Sequence, residues 1–400
     1  MRTLITKKGR LLSFGVLATF FTASGQIFLI AFFIPPMRED LHLSQTMIAG
    51  LFFFGTVASA FMLPVLGMWL DRTRPIRFVV VTGALLTLGC VTLGTAHTAL
   101  ALFIGFFLVR NFGQGGLAMA AQTMMARLDD KYRGKALGIT NLGYPISEAL
   151  LPGLVSTVIV VFGWRSGWMM LAALLIFVFL PLVPFLIRHE PHPHKQHTAE
   201  DGFPTPVPAR ESWPVSRVLR DRRFHFLLIP ILITPGVLSA LFFHHMAIMA
   251  WKGWDPLLLP AGFVVYAVCR AIVSFFSGPL TDYFTARKIF FWNLVPLSFA
   301  VAVLWLAQNP FWIFLYFAGA GLTMGFGMTV GNALYAELYG TRYLGSIRGV
   351  ISFSIVLTTA VAPLLLGYGL DHAWDLSRIL GGMTVLAVAG IFCTAAALRE

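Results

Sequence analysis

The feature that most constrains this chain is a run of long apolar stretches carrying almost no charge. Twelve can be marked, at about 11–35, 47–69, 76–95, 98–126, 134–162, 165–187, 224–251, 256–281, 286–307, 310–336, 345–370 and 375–397. Each holds roughly the 20 residues that an α-helix needs to cross a hydrocarbon core of about 30 Å. The runs are continuous rather than alternating over ten-residue units, which excludes a transmembrane β-barrel. Only 12% of the residues are charged and 58% are hydrophobic, whereas soluble domains carry about 25% charged residues. Such a chain cannot cover a water-facing surface, so lipid is its main solvent. The fold class expected is an all-α membrane protein of twelve transmembrane helices.

The net charge of +12 then reads as basic loops beside the membrane, not as a nucleic-acid surface. Cys90, Cys269 and Cys393 each lie inside an apolar stretch, which gives neither a disulfide framework nor metal-ligand spacing. The basic start (Arg2, Lys7, Lys8, Arg10) leads into an apolar stretch reaching Pro35, too long for a cleaved signal core. It is expected to stay as the first helix.

Short loops join segments 1 to 6 and segments 7 to 12. The expected division is a six-helix unit at 1–187, a linker at 188–223 rich in Pro, His and charge, and a second six-helix unit at 224–400. With the N-terminus in the cytoplasm, 23 of the 29 Lys and Arg fall on the cytoplasmic side. The outer loops hold Arg38, Arg165, Lys252 and Arg378. The positive-inside rule therefore predicts cytoplasmic termini and a cytoplasmic linker in a bacterial inner (plasma) membrane. The halves also repeat at an offset of 211: Gly67 with Gly278, Asp71 with Asp282, Tyr132 with Tyr343, Gly134 with Gly345, Gly138 with Gly349 and Pro152 with Pro363. Recurrence at one spacing points to a duplicated six-helix unit in parallel orientation.

The loop after segment 2, Gly67 to Arg74 (GMWLDRTR), and its second copy Gly278-Pro-Leu280-Thr-Asp282 with Arg287 and Lys288 resemble the loop signature of the major facilitator superfamily. Trp69 replaces the usual leucine, and Arg74-Pro75 stand where Gly-Arg is usual. Further stretches resemble bacterial monocarboxylate and oxalate:formate porters. They are Ser24–Gln26, Phe33–Pro36, Arg110–Gly116, Arg133–Gly138 and Gly163–Arg165. The resemblance implies a secondary transporter with its site near the bilayer midplane. It also implies that Gly67, Asp71, Arg72, Gly278, Asp282 and Arg287 act as conformational latches that break and reform during the cycle.

Polar groups at membrane depth are the remaining signal, since each costs about 2.5–3.5 kcal/mol at the bilayer centre. Arg110 lies roughly 18 Å into segment 4, with Gln114 one turn further on. Glu148 lies roughly 21 Å into segment 5, following Asn141 and Tyr144 on a polar stripe. Arg110 and Glu148 are placed to pair, either as a permanent bridge fixing the packing or as a working pair with Glu148 as the proton site. Arg270 lies roughly 20 Å into segment 8, between Tyr266 and Ser274. Its guanidinium cannot deprotonate, so it needs an anion or other acceptors. In the resembled family a helix-8 arginine binds the substrate carboxylate one turn nearer the loop, at the place of Ser274. Gln26 in segment 1 faces either a cavity or a neighbouring helix. His244 is a second proton-coupling candidate; the alternative for His244 and His245 is an interfacial position at a helix end. Thr234-Pro235-Gly236 is expected to kink segment 7 into an unwound turn. His189, His192, His194 and His197 are read as a solvated tether ahead of a metal site, because Pro191 and Pro193 break helical ligand spacing.

No phosphate-binding loop, zinc motif or nucleophile elbow occurs in the sequence, so neither ATP-driven pumping nor enzyme chemistry has its parts. No cofactor or metal is called for. Two arginines against one glutamate leave surplus positive charge, so the expected cargo is a small organic anion moved with protons or by exchange. Arg270, Arg110, Gln26, Gln114, Tyr144 and Tyr266 would bind it. The expected partners are the substrate, membrane lipid and protons, with no nucleic acid, and the chain is expected to be a monomer. The alternative is a proton-driven multidrug or metabolite efflux antiporter.

Overall fold

A computed structural model describes residues 2–126, 128, 130–187, 213–284, 286–340 and 343–399. The described residues are helical, with no strand among them. Among the described residues, nine helical stretches are long and apolar enough to cross a membrane, and a shorter apolar one runs over Trp312–Gly327. One of the nine, Gly134–Ile187, is two crossings, since Gly163 at φ +83° turns the chain inside it. Only glycine takes that conformation without strain. Counting the broken first helix, the chain makes the twelve crossings expected. It divides into two compact units, Met1–Gln196 and His197–Glu400.

In the first unit, α1 is built from pieces, Arg2–Phe21, Thr22–Gly25, Ile27–Ile30 and Ile34–Asp40. α2 is Gln45–Arg72, capped by the Ser44 hydroxyl, which accepts from Met47 N at 3.1 Å. α3 is Pro75–Gly94, α4 is Ala99–Ala126, α5 comprises Asp130–Thr140 and 143–162, and α6 is 164–187. α1 and α5 touch backbone to backbone at Gly143, where a Cβ would lie 2.2 Å from Val16 O. Thr19 donates across this seam to Thr140 O at 2.6 Å. Small residues serve where the hydrophobic effect gives helices no reason to associate in lipid. At one end Arg165 closes the unit, pairing with Asp40 at 2.7 Å and donating to Ala96 O at 3.2 Å.

In the second unit, α7 comprises Arg222–Phe243 and His245–Lys252, α8 is Leu258–Phe284, and α9 comprises Ala286–Phe291 and Val295–Leu306. α10 is Trp312–Tyr339, α11 is Leu344–Asp371 and α12 is Leu376–Arg399. α8 lies tightly on α10 because Gly321 and Gly325 present no side chains. A Cβ on them would meet Tyr266 O at 2.4 Å and Arg270 O at 2.9 Å.

Three expectations change. The linker was expected to tether freely over 188–223, but from Trp213 it packs onto its unit. Trp213 N donates to Tyr339 O at 3.1 Å, and Val218 is buried with Phe224, Tyr339 and Ile347. Trp213, Val215 and Val218 are apolar and have a core to join. The linker histidines His189, His192, His194 and His197 lie outside the described residues. α7 does not unwind at Thr234–Gly236: the helix runs through Pro230 and Pro235, and breaks instead at His244 (φ −107°, ψ 17°). Gly236 serves packing there, its Cβ position 2.8 Å from Thr358 Cγ2. Asp71, expected in the loop after segment 2, belongs to the last turn of α2.

Candidate functional site

The first unit's interior is organised by two irregular backbones. α1 tightens into a 3₁₀ turn over Thr22–Gly25, after which Gln26 is extended (φ −93°, ψ 143°). α4 widens into a π-helix over Val109–Leu117. Both devices occur where a regular helix would misdirect its groups. They meet at glycines: a Cβ on Gly25 would lie 2.2 Å from Val109 O, and one on Gly113 would lie 3.1 Å from Gly25 N. Ser24 and Gly25 are buried, and Gln26 and Gln114 sit half-buried at the edges of the contact.

This contact aims a carbonyl at a guanidinium. Arg110, 3% exposed, donates from Nη1 to Gly25 O at 3.0 Å and from Nε to Thr56 Oγ1 at 3.1 Å. Its guanidinium lies 5.2 Å from the centre of the Phe52 ring. Asn111, fully buried, has Oδ1 3.5 Å from Ser59 Oγ. Both described hydrogen bonds of Arg110 thus go to neutral acceptors, where a bridge to Glu148 was one expectation. They engage two of the five N–H donors a guanidinium carries. Neutral dipoles solvate the charge without cancelling it. Glu148 is buried on α5 beside Ser147, which donates to Tyr144 O at 2.8 Å, while Tyr144 is half-buried. The polar stripe is interrupted above it, because 141–142 form a turn.

In the second unit, the glycine seam on α10 fixes α8, and with it Arg270. Arg270 is half-buried, about 18 Å from the start of α8 at 1.5 Å per residue. Ser274, one turn on, is exposed with Oγ 3.5 Å from Gly325 O. Tyr266, 2% exposed, faces inward against Phe242 and Phe263 at 5.5 and 6.1 Å between ring centres. His244 and His245 lie at a helix end and are both buried, at 2% and 4%. The break at His244 turns them inward. His244 Nε2 lies 2.9 Å from Pro363 O, and His245 Nε2 lies 3.1 Å from Tyr316 Oη. Phe242, Phe263 and Phe317 surround His245.

The loop residues lie apart from these interiors. Asp71 and Arg72 are exposed at the end of α2, Gly67 is half-buried, where a Cβ would lie 3.8 Å from Met119 Sδ, and Arg287 is half-buried on α9. The side chain of Asp282, and the surroundings of Gly278, lie outside what is described.

Sequence reasoning missed Thr56, Ser59, Asn111 and the Gly25 carbonyl. Glycine beside glutamine in the middle of an apolar segment was a signal for the break. Thr56 gave none, because a threonine in a spanning helix ordinarily bonds its own backbone.

Residues 16–261 match the family profile described as Major Facilitator Superfamily. Among curated proteins, the chain is 28% identical to the probable sulfoacetate transporter SauU of Cupriavidus necator over 174 residues, covering 42% of this chain and 39% of that protein. It is 24% identical to the multidrug resistance protein MdtL of Klebsiella pneumoniae over 322 residues, covering 79% of each. Among solved structures, the nucleoside transporter NupG superposes with a TM-score of 0.75 at 11% identity, covering 97% of this chain and 98% of that one. A bacterial homologue of the human lysosomal transporter Spinster gives 0.70 at 15% identity, covering 97% and 94%.

Proposed function

Because the chain belongs to the Major Facilitator Superfamily, and so is a multi-pass membrane transporter rather than an enzyme, we propose that it moves a small organic anion by alternating access. The observation that carries this reading is Arg110, a permanent charge in a buried interior, solvated by a carbonyl and a hydroxyl. Neutral acceptors leave the charge uncancelled, so an anion gains more there than a cation. Arg270 supplies a second guanidinium from the other unit, half-buried near the middle of α8. Gln26, Gln114, Tyr144 and Tyr266 are proposed to complete binding. The match to a probable sulfoacetate transporter supports an anionic cargo, since sulfoacetate is one, although that match spans 39% of the relative.

Coupling is to protons or to a counter-anion. Glu148, buried on α5, is the proposed proton carrier, with His244 a second. Gly67, Asp71, Arg72, Gly278, Asp282 and Arg287 are proposed to latch the cycle. The proposed setting is a bacterial inner membrane, with both termini cytoplasmic and the chain monomeric.

Arg270 provides the test. A bidentate guanidinium–carboxylate contact cannot be reproduced by lysine. Arg270→Lys is expected to weaken anion binding, and Arg270→Gln more so, by about 2–5 kcal/mol for a truncated buried charge pair. A folded Arg270→Gln protein with wild-type anion affinity would remove this residue from the reading. The match to MdtL over 79% of the chain favours a second reading, export of amphipathic drugs. Cationic dye efflux that survives Arg270→Gln, with no labelled carboxylate uptake in wild-type vesicles, would establish it instead.

A further inference from the structure

At the end of the second unit where α9 begins and α12 ends, a groove of about 570 Å³ opens between the two helices. Its walls are apolar and aromatic: Phe291 and Trp292 from α9, Ile391, Phe392, Ala395 and Leu398 from α12. Its mouth carries Arg287 and Lys288. Trp292 is 62% exposed and Phe392 is 70% exposed, so these rings face the surrounding medium, which for a spanning helix is lipid. Glu337 accepts from Ala286 N at 3.0 Å and caps the start of α9. Among the described residues, neither Arg287 nor Lys288 makes a hydrogen bond or ion pair with protein.

The groove is not a by-product of the duplicated fold. At the offset of 211, the first unit has Ile76 where α9 has Arg287, and Val81 where it has Trp292. The helices start in register, at Pro75 and Ala286. The twin keeps one cation there, Arg77 matching Lys288, so the second unit differs by a second cation at the mouth and an indole on the wall where its twin has branched aliphatics.

We propose that this groove is a binding site for an anionic phospholipid. The phosphate sits at Arg287 and Lys288, and an acyl chain follows Phe291, Trp292, Ile391 and Phe392. Two adjacent cations above an apolar cleft match a phosphate above a hydrocarbon chain, and an exposed tryptophan at that depth suits the headgroup boundary. A zwitterionic lipid would fill the cleft equally but gain less at the mouth.

The test reconstitutes the full chain in phosphatidylcholine vesicles and measures quenching of tryptophan fluorescence by acyl-brominated phosphatidylglycerol or acyl-brominated phosphatidylcholine. Phosphatidylglycerol is expected to bind with a preference of about fivefold for each cation, on the order of 30-fold for the pair. Trp292→Phe is expected to remove most of the excess quenching, and Arg287→Gln with Lys288→Gln the preference itself. Lys288→Gln alone, at an exposed side chain, is expected to lose about fivefold, which keeps the test open if the double variant does not fold. Equal quenching by the two lipids, or an undiminished preference in folded Lys288→Gln, would overturn the proposal. So would loss of the preference on adding inorganic phosphate, which would make the cradle a site for a free anion.

Discussion

Replacing Thr56 by valine tests whether Arg110 is held as described. Valine matches threonine in shape but lacks the hydroxyl that accepts from Arg110 Nε at 3.1 Å. Thr56 is 1% exposed and Arg110 is 3% exposed, so water cannot readily replace the lost acceptor. A hydrogen bond to a charged group contributes about 1.5–3 kcal/mol. For a unit of this size, each kcal/mol shifts the melting temperature by about 2–4 °C. Thr56→Val is therefore expected to melt roughly 3–12 °C lower in the absence of cargo. Thr56→Ser keeps the acceptor and is expected to lose much less. If an anion then binds Arg110, it supplies the missing acceptor, and saturating cargo should narrow the gap between Thr56→Val and wild type. The assay is a thermal melt of purified protein with and without a candidate carboxylate. A Thr56→Val protein that melts with wild type would refute the proposed solvation of Arg110. Equal losses in Thr56→Val and Thr56→Ser would trace the effect to packing.

Gly321→Val is expected to spread α8 from α10, because even a Cβ would lie 2.4 Å from Tyr266 O; binding and melting temperature should fall together, and a neutral outcome would deny the glycine seam. Cysteines introduced singly over 190–210 are expected to react with an impermeant maleimide only in opened cells, and labelling of intact cells would invert the topology. Tyr339, past the apolar part of α10, has its phenol held above the ordinary value by burial and then by Asp221, whose carboxylate it hydrogen-bonds at 3.2 Å. The unfolded chain ionises first, so stability should fall as pH rises through about 10. Tyr339→Phe should flatten that alkaline limb in a urea titration, and an unchanged limb would exclude Tyr339 as its source.

The crossings were legible in the sequence because hydropathy and length fix them with little help from context. Arg110, Glu148 and Arg270 were legible as charges in apolar segments, since their cost makes them conspicuous. What charge alone could not specify was the company each keeps. The expected bridge from Arg110 to Glu148 assumed regular helices, whereas the 3₁₀ turn at Thr22–Gly25 and the π-segment at Val109–Leu117 bring a carbonyl to the guanidinium instead. Periodicity counts 3.6 residues per turn and cannot register such changes. The same blindness placed the break of α7 at Pro235, a residue known to disturb helices, when it occurs at His244. Proline in a spanning helix is tolerated where neighbours satisfy the freed groups, so its presence locates a break poorly.

The repeat at 211, first read from loop residues, also orders the interior, and it explains why there are two arginines and not four. Phe52 and Phe106 form an edge-to-face pair at 5.7 Å in the first unit; their equivalents at the same offset, Phe263 and Phe317, pair at 4.8 Å in the second. The contact of α2 with α4 therefore corresponds to that of α8 with α10. In this frame Arg110 on α4 corresponds to Gly321 on α10, and Arg270 on α8 corresponds to Ser59 on α2. Each unit thus places one guanidinium in the same helix pair but on opposite members, with a small residue at the position that is arginine in the twin. The small partner is required in both cases. Gly321 gives α8 its close approach at Tyr266 O, and a second cation at Ser59 would stand one turn from Thr56, whose hydroxyl already solvates Arg110. Two guanidinium groups sharing that buried acceptor would repel in a low dielectric, so each duplicate can hold one. Divergence after duplication then leaves one guanidinium in each unit, buried at Arg110 and half-buried at Arg270, on opposite members of the same helix pair.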